Sequence, residues 1–297
     1  MPDLIFVSDI FLLAVAAVCI IAACITDIRK REVPNWISFS LIAIAVAIRG
    51  IAAILSHQAS YFYFSLIAIA IFIVVANIFY YGRIFGGGDA KLLIALSAVF
   101  ATIPVFAKPS PISEPFLLSF TMNIFVFGFA YGILYSFFAA AKNRRAFSRE
   151  FGRVSEKTRP IKIISWMLAF VVLILSIILF LIRSFAALPV LVISVILFLM
   201  PLLYFFTKAV ENSSMIRLTR PDDLAEGDIL VGIAKLKGRT IKQGVHGLSA
   251  QDIIALKKAN KKIMIKYGLP FVPVFLIALV CTIFFGDLLM GFVLSLV

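Results

Sequence analysis

Asp27 and Asp89 are the residues whose type and setting point to chemistry. Asp27 lies in Thr26-Asp27-Ile28-Arg29-Lys30-Arg31-Glu32-Val33-Pro34-Asn35, and Asp89 in Phe85-Gly86-Gly87-Gly88-Asp89-Ala90-Lys91. Each falls where a long apolar run meets a basic loop. An acid at the margin of a hydrocarbon layer is costly and needs a reason. Two carboxyls that share a proton can hydrolyse an amide with neither metal nor covalent nucleophile: one acts as general base on water, and the other hydrogen-bonds or protonates the carbonyl oxygen. The titration of such a pair belongs to the pair rather than to either member. The glycines Gly86, Gly87 and Gly88 remove side-chain bulk next to Asp89, where another backbone has to come close, and they permit positive φ. The simpler reading of the same string is a tight loop with Asp89 as a helix N-cap. A phosphate-binding loop of the Walker type is excluded, because no Gly-Lys-Ser/Thr follows the glycines.

The elements that must position these acids are membrane spans. The chain has 297 residues, 63% of them hydrophobic and only 14% charged, which is the composition of a polytopic membrane protein. Eight apolar segments approach the length needed to cross a bilayer, at about 4–26, 35–56, 61–81, 90–107, 116–141, 161–182, 185–207 and 268–296. Segments six and seven are joined only by Arg183-Ser184, so they form either a tight hairpin or one interrupted segment. The first run has no basic residues before it and reads as a retained span rather than a cleaved signal.

The net charge of +13 reflects placement, not nucleic-acid binding. With Arg29, Lys30 and Arg31 inside, the positive-inside rule puts all but Arg49, Lys108 and Arg183 of the 28 Lys and Arg on the cytoplasmic side. Both termini then lie outside the cell membrane, and Asp27 and Asp89 share one depth at the cytoplasmic end of the bundle.

The expected fold class is an all-α polytopic membrane protein with about eight transmembrane helices and a small cytoplasmic α+β insert before the last helix. Its divisions are a membrane core carrying both acids (1–141), a basic loop (142–160), a further transmembrane hairpin (161–207), the insert (208–267) and a last helix (268–297). Within the insert, 228–233 and 239–241 read as short strands. Ser249-Ala250-Gln251-Asp252 reads as a capping box. The helix it opens carries Ile253, Leu256, Ile263 and Met264 on one side and Lys257, Lys258, Lys261 and Lys262 on the other. That helix suits either an anionic membrane surface or a small packed domain.

Cys19, Cys24 and Cys281 form no C-x-x-C pair, and His57 and His246 stand alone, so no metal site and no cofactor is expected. Asp287, in the last apolar segment, reads as an interfacial acid rather than a helper group. Tyr61, Tyr63, Tyr80 and Tyr81 suit interfacial belts.

Gly86-Gly87-Gly88-Asp89-Ala90-Lys91 resembles the G-x-G-D motif of intramembrane aspartyl proteases, in the form found in type IV prepilin and preflagellin peptidases. Asp27 with Val33-Pro34-Asn35 resembles the other half of that family's pattern, and the resemblance covers residues 1–110. It implies that Asp27 and Asp89 are the catalytic pair, that Gly86 and Gly88 shape the approach to Asp89, and that Pro34 and Asn35 start the second span. Lys91 reads as a positive-inside anchor. The rest of the chain is similar to the longer archaeal members.

The implied partners are prepilin or archaellin precursors and the lipid bilayer, with removal of a short basic leader at the cytoplasmic face. The cysteine-pair segment of the bifunctional bacterial enzymes is absent, so N-methyltransferase activity is not expected. The alternatives are a presenilin-like protease, although Thr26 stands where those proteins have Tyr, and a proton-coupled transporter, which calls for mid-membrane acids and internal repeats. Gly268–Pro273 reads as a helix-start proline segment, with a lining of substrate access as the functional alternative.

Overall fold

In a computed structural model, the described residues are all except 1, 105–106, 108–114, 225, 237–238, 243–246 and 292–297. His246 and Lys108 therefore lie outside the described residues. The chain divides into two units, residues 1–132 with 269–297, and residues 133–268.

The first unit is built from α1 (Pro2–Lys30), α2 (Asn35–Ser56), α3 (Ala59–Tyr81), α4 (Gly87–Val99), the first part of α5 (Phe116–Lys142) and α10 (Val272–Phe285). Helix α1 stops where Arg31 turns left-handed at φ 58°. Pro34 is itself extended just before α2, and its ring disfavours a helical conformation at Val33 ahead of it. Helix α2 ends at His57, also left-handed (φ 55°), and the amide of Gln58 reaches back to the Ala53 carbonyl in a C-terminal cap. His57 is thus a helix terminator.

The core of this unit is continuous. Leu12, Ala16 and Ile20 of α1, Ile37 and Leu41 of α2, Leu92, Leu93 and Leu96 of α4, Phe120 and Ile124 of α5, and Phe275 of α10 are all nearly or fully buried within it.

Among the described residues, six helices are long and apolar enough to cross a membrane: Leu4–Lys30, Asn35–Ser56, Ala59–Tyr81, Phe116–Lys142, Arg159–Leu181 and Ala187–Met215. The segment expected to span at 90–107 is instead a helix of 13 residues. At 1.5 Å per residue it is about 20 Å long, well short of the hydrocarbon layer. It ends at Phe100, ahead of Pro104, and it is buried along most of its length. The expected last span forms 14 helical residues in α10.

The second unit contains the end of α5, α6 (Arg144–Lys157), α7 (Arg159–Leu181), α8 (Ala187–Val210) and the insert. The stretch expected as a basic loop at 142–160 is largely helical. In α6, Phe147 packs with Phe206 and Val154 is buried, while the arginines follow the other face.

Helices α7 and α8 form the tight hairpin, reversing at Arg183 (φ 54°). Small residues line their seam: the hydroxyl of Ser194 donates to the Ala169 carbonyl at 2.8 Å, and that of Ser176 to the Ala187 carbonyl at 2.9 Å. Small side chains let apolar helices approach closely where lipid gives no hydrophobic drive for pairing. Pro201 lies inside α8 and cannot donate to the Leu197 carbonyl; the Ser165 hydroxyl does so at 2.6 Å.

The insert has a three-stranded antiparallel sheet in the order β1 (Ile216–Thr219), β5 (Ile263–Lys266), β2 (Ile229–Leu230). A separate hairpin is made by β3 (Ile233–Leu236) and β4 (Arg239–Lys242). The capping box at Ser249 and Asp252 opens α9 (Ala250–Lys258) as expected, but the helix is shorter than its charge pattern implied. Ile263 and Met264 belong to β5, because the chain leaves the helix at Ala259-Asn260, where Asn260 has φ 44°. Ile253 and Leu256 are buried in the insert's own core with Leu230, Ile241 and Ile265. Of the two readings of this helix, the packed small domain is therefore the one found.

Candidate active site

Asp27 sits in the last turn of α1, and its side chain is buried at 6% exposure. Its Oδ2 accepts a hydrogen bond from the backbone N–H of Val272, the first residue of α10, at 2.9 Å. Asp89 is the third residue of α4 and is half-buried. Gly86, not Asp89, is the N-cap; the Asp89 Oδ2 accepts from the Gly86 N–H at 3.1 Å, satisfying a donor that the helix start leaves free. Asp89 lies within electrostatic reach of Asp27.

The two motifs also meet directly, some 55 positions apart in sequence. A Cβ on Gly88 would stand 2.9 Å from the Val33 Cβ, so only glycine lets the start of α4 lie against the segment before Pro34. Lys91 donates from Nζ to the Asn35 Oδ1 at 2.7 Å. Lys91 therefore also joins α4 to the start of α2, a contact that its reading as an anchor alone did not include. Pro34 occupies the cap position of α2, and Asn35 is its first residue.

None of the three glycines takes a positive φ; Gly86 is extended at φ −69° and ψ 161°. Close approach, rather than special backbone, is what the string is used for. Gly87 faces the Tyr80 ring, where a Cβ would sit in ordinary contact at 3.5 Å.

Beneath Asp89, Phe85 packs among aromatic rings. Its centroid lies 5.2 Å from Phe79, 6.0 Å from Phe125, 5.6 Å from Phe271 and 6.0 Å from Phe275. Rings from α3, α5 and α10 thereby fix the loop that presents the glycines.

Three sequence expectations are corrected. Tyr61 is buried rather than interfacial; its hydroxyl donates to the Asp9 Oδ1 at 2.6 Å. Arg49, expected outside or near that face, is fully buried. It donates to the Val99 carbonyl at 2.6 Å, to the Thr102 hydroxyl and to the Tyr61 carbonyl, with its guanidinium 4.3 Å from the Tyr61 ring centroid. Arg49 thus satisfies the Val99 carbonyl at the open C-terminal end of α4, while the Ser65 hydroxyl satisfies that of Ala98. Asp89 at the N-terminal end is the third correction, being an N3 residue rather than the N-cap of that same helix.

Asp287 is buried, and its Oδ1 accepts from the Met290 N–H at 2.9 Å. It follows the far end of α10 from Val272, about 20 Å away along 14 helical residues. It caps a helical turn and takes no part in the site. Pro273 lies in the first turn of α10, as a helix-start proline does. Among the described residues no cluster of His, Cys, Asp or Glu could hold a metal ion.

Two acids at helix ends, one buried and one half-buried, in a chain whose described residues include six apolar spans define a class, a multi-pass helical membrane protein with a pair of neighbouring carboxyls. The family follows from comparison: residues 14–142 match the model of the type IV leader peptidase family, and this segment contains both aspartates and every motif residue. No curated protein and no solved structure matches the chain. The family recognised from the paired motifs is the one whose model matches this segment, which is similar to the type IV leader peptidases.

Proposed function

We propose that Asp27 and Asp89 are the catalytic pair of an aspartic endopeptidase that removes the short basic leader from type IV prepilin-like or archaellin precursors. The observation that carries this reading is the joining of the two motifs: Gly88 against Val33 and Lys91 on Asn35 hold Asp89 within reach of the charge on Asp27. In the reaction, one carboxylate takes a proton from water as the oxygen attacks the scissile carbonyl carbon. The other, protonated, gives its proton to the carbonyl oxygen. Collapse of the resulting diol returns a proton to the pair and passes one to the leaving amine.

The charge pattern supports a site at the cytoplasmic face, with the precursor's apolar helix in the bilayer and its leader junction beside the acids. It also supports termini on the outer side. The basic inner face does not attract a basic leader, so the scissile junction and the apolar helix supply much of the binding. Methyl transfer is not part of the proposed activity. The presenilin-like and transporter readings are less favoured. Thr26 stands before the first acid, and each acid lies at a helix end, where a mid-membrane relay would not place it.

The test is cleavage of pilin and archaellin precursors in membranes by the wild type, Asp27→Asn and Asp89→Asn. Loss of processing by both variants with retained helix content is expected. Normal processing by either one sinks the pair as the catalytic centre.

A further inference from the structure

Gly128 lies within α5, outside both motifs and distant in sequence from either acid. We propose that it is a positioning residue for Asp27: its missing side chain seats the Phe271 ring, and that ring sets the place of the Val272 N–H whose hydrogen bond Asp27 accepts. The proposal rests on the reading of Asp27 and Asp89 as the catalytic pair.

A Cβ on Gly128 would stand 2.7 Å from the Phe271 Cζ and 3.0 Å from its Cε2. Non-bonded carbons ordinarily keep about 3.5–4 Å apart, so a methyl group and the ring cannot share that space. The ring also packs on Phe85, with centroids 5.6 Å apart, and on Phe275, at 6.1 Å, and these contacts oppose its rotation out of the way. A push on the ring is then passed to its own backbone. The Phe271 carbonyl and the Val272 N–H belong to one planar peptide unit, and that N–H donates to the Asp27 Oδ2 at 2.9 Å. Phe85 leads into the three glycines, so the same ring ties the donor on Asp27 to the loop that presents Asp89.

Helix α10 is not free to slide along α5 and relieve such a push. Asn123 of α5 is fully buried and grips the other end of α10. Its Nδ2 donates to the Thr282 hydroxyl at 2.9 Å and to the Gly286 carbonyl at 2.8 Å, and its Oδ1 accepts from the Leu288 N–H at 3.2 Å. Sliding would break these bonds in an apolar setting, where an unpaired amide is costly. Gly132, in the same helix, supplies the contrast: a Cβ there would meet nothing within 4 Å.

The test uses the full-length protein with Gly128→Ala, Phe271→Leu, the double variant and Gly132→Ala. Two quantities are read: deuterium exchange of the Val272 amide, which needs no substrate, and the kinetics of cleavage of a prepilin precursor peptide. Gly128→Ala is expected to speed Val272 exchange and to lower kcat, each about tenfold, with KM held within about twofold. Phe271→Leu removes Cζ and both Cε atoms and should shift both readings about threefold. The double variant should return to the Phe271→Leu level, rather than reach the product of about thirtyfold that independent effects would give. Gly132→Ala should match the wild type in both readings.

Wild-type exchange and kcat in Gly128→Ala overturn the proposal. A double variant at the product does so too, since Gly128 then acts without Phe271, and so does a fall in kcat with unchanged Val272 exchange. If Gly128→Ala does not fold, Phe271→Leu alone must still quicken Val272 exchange, and wild-type exchange there overturns the proposal. Failure of the underlying reading is seen separately, as normal processing by Asp27→Asn.

Discussion

The two units of the chain handle polar groups in opposite ways. In the first, Asp9, Asp27, Arg49, Asn123 and Asp287 are all buried, and each is met by specific partners. In the second, the buried polar side chains among the described residues are Ser176, Ser194 and Thr219. The serines there bond carbonyls of the facing helix and do nothing beyond closing the α7–α8 seam. Only a tenth to a sixth of each hairpin span is buried inside the protein, against 39% of α2. Buried ionisable groups in an apolar bundle are costly, and they gather in the unit that carries the paired acids. The hairpin unit shows what the same composition looks like without them.

That contrast breaks most sharply at the acids. Asp27→Asn and Asp89→Asn should each lower precursor cleavage by about a thousandfold or more, with unchanged circular dichroism. Asp287→Asn, equally buried, should leave cleavage within about twofold of the wild type, because its carboxylate only caps a turn. A large loss in Asp287→Asn would erase the distinction between a capping acid and the proposed catalytic pair.

Next in size is Arg49→Met. It strands the Val99 carbonyl at the end of α4 and should destabilise the first unit by about 3 kcal/mol, read as a lower unfolding midpoint in detergent. Ser194→Ala in the second unit should cost only about 1 kcal/mol by the same measurement. Gly88→Ala should cost about 2 kcal/mol and slow cleavage, because its Cβ would overlap that of Val33; the double variant with Val33→Gly should recover part of the loss. The smallest effect is expected for Lys91→Met, which removes an exposed contact to Asn35 and should change stability by under about 1 kcal/mol.

Much of this was legible in the chain. Six of the eight expected spans and the capping box at Ser249 follow from local patterns of apolar runs and short motifs, and of the two readings left open at Arg183-Ser184 the hairpin is the one found. The misjudged elements are those whose form depends on neighbours. Helix α4 is short because it is wrapped by α1, α2 and α3, and Arg49 can answer its open end. Ile263 and Met264 look helical beside Leu256, yet they pair with β1 across the insert. Tyr61 carries an interfacial residue's signature, but a buried carboxylate, that of Asp9, accepts a hydrogen bond from its hydroxyl. The Val272 contact has no signature at all, because a backbone N–H is present at every residue but proline.

The sequence by itself determined that this is a polytopic membrane protein with two acids at helix ends and paired motifs that resemble those of the type IV leader peptidase family. Residue types and their spacing are enough for that. Only the tertiary structure decided which groups meet those acids: Val33 against Gly88, Asn35 under Lys91, and the start of α10 on Asp27. The physical reason is that close approach and hydrogen bonding depend on positions in space, and segments 55 or 245 residues apart leave no shared local pattern to read.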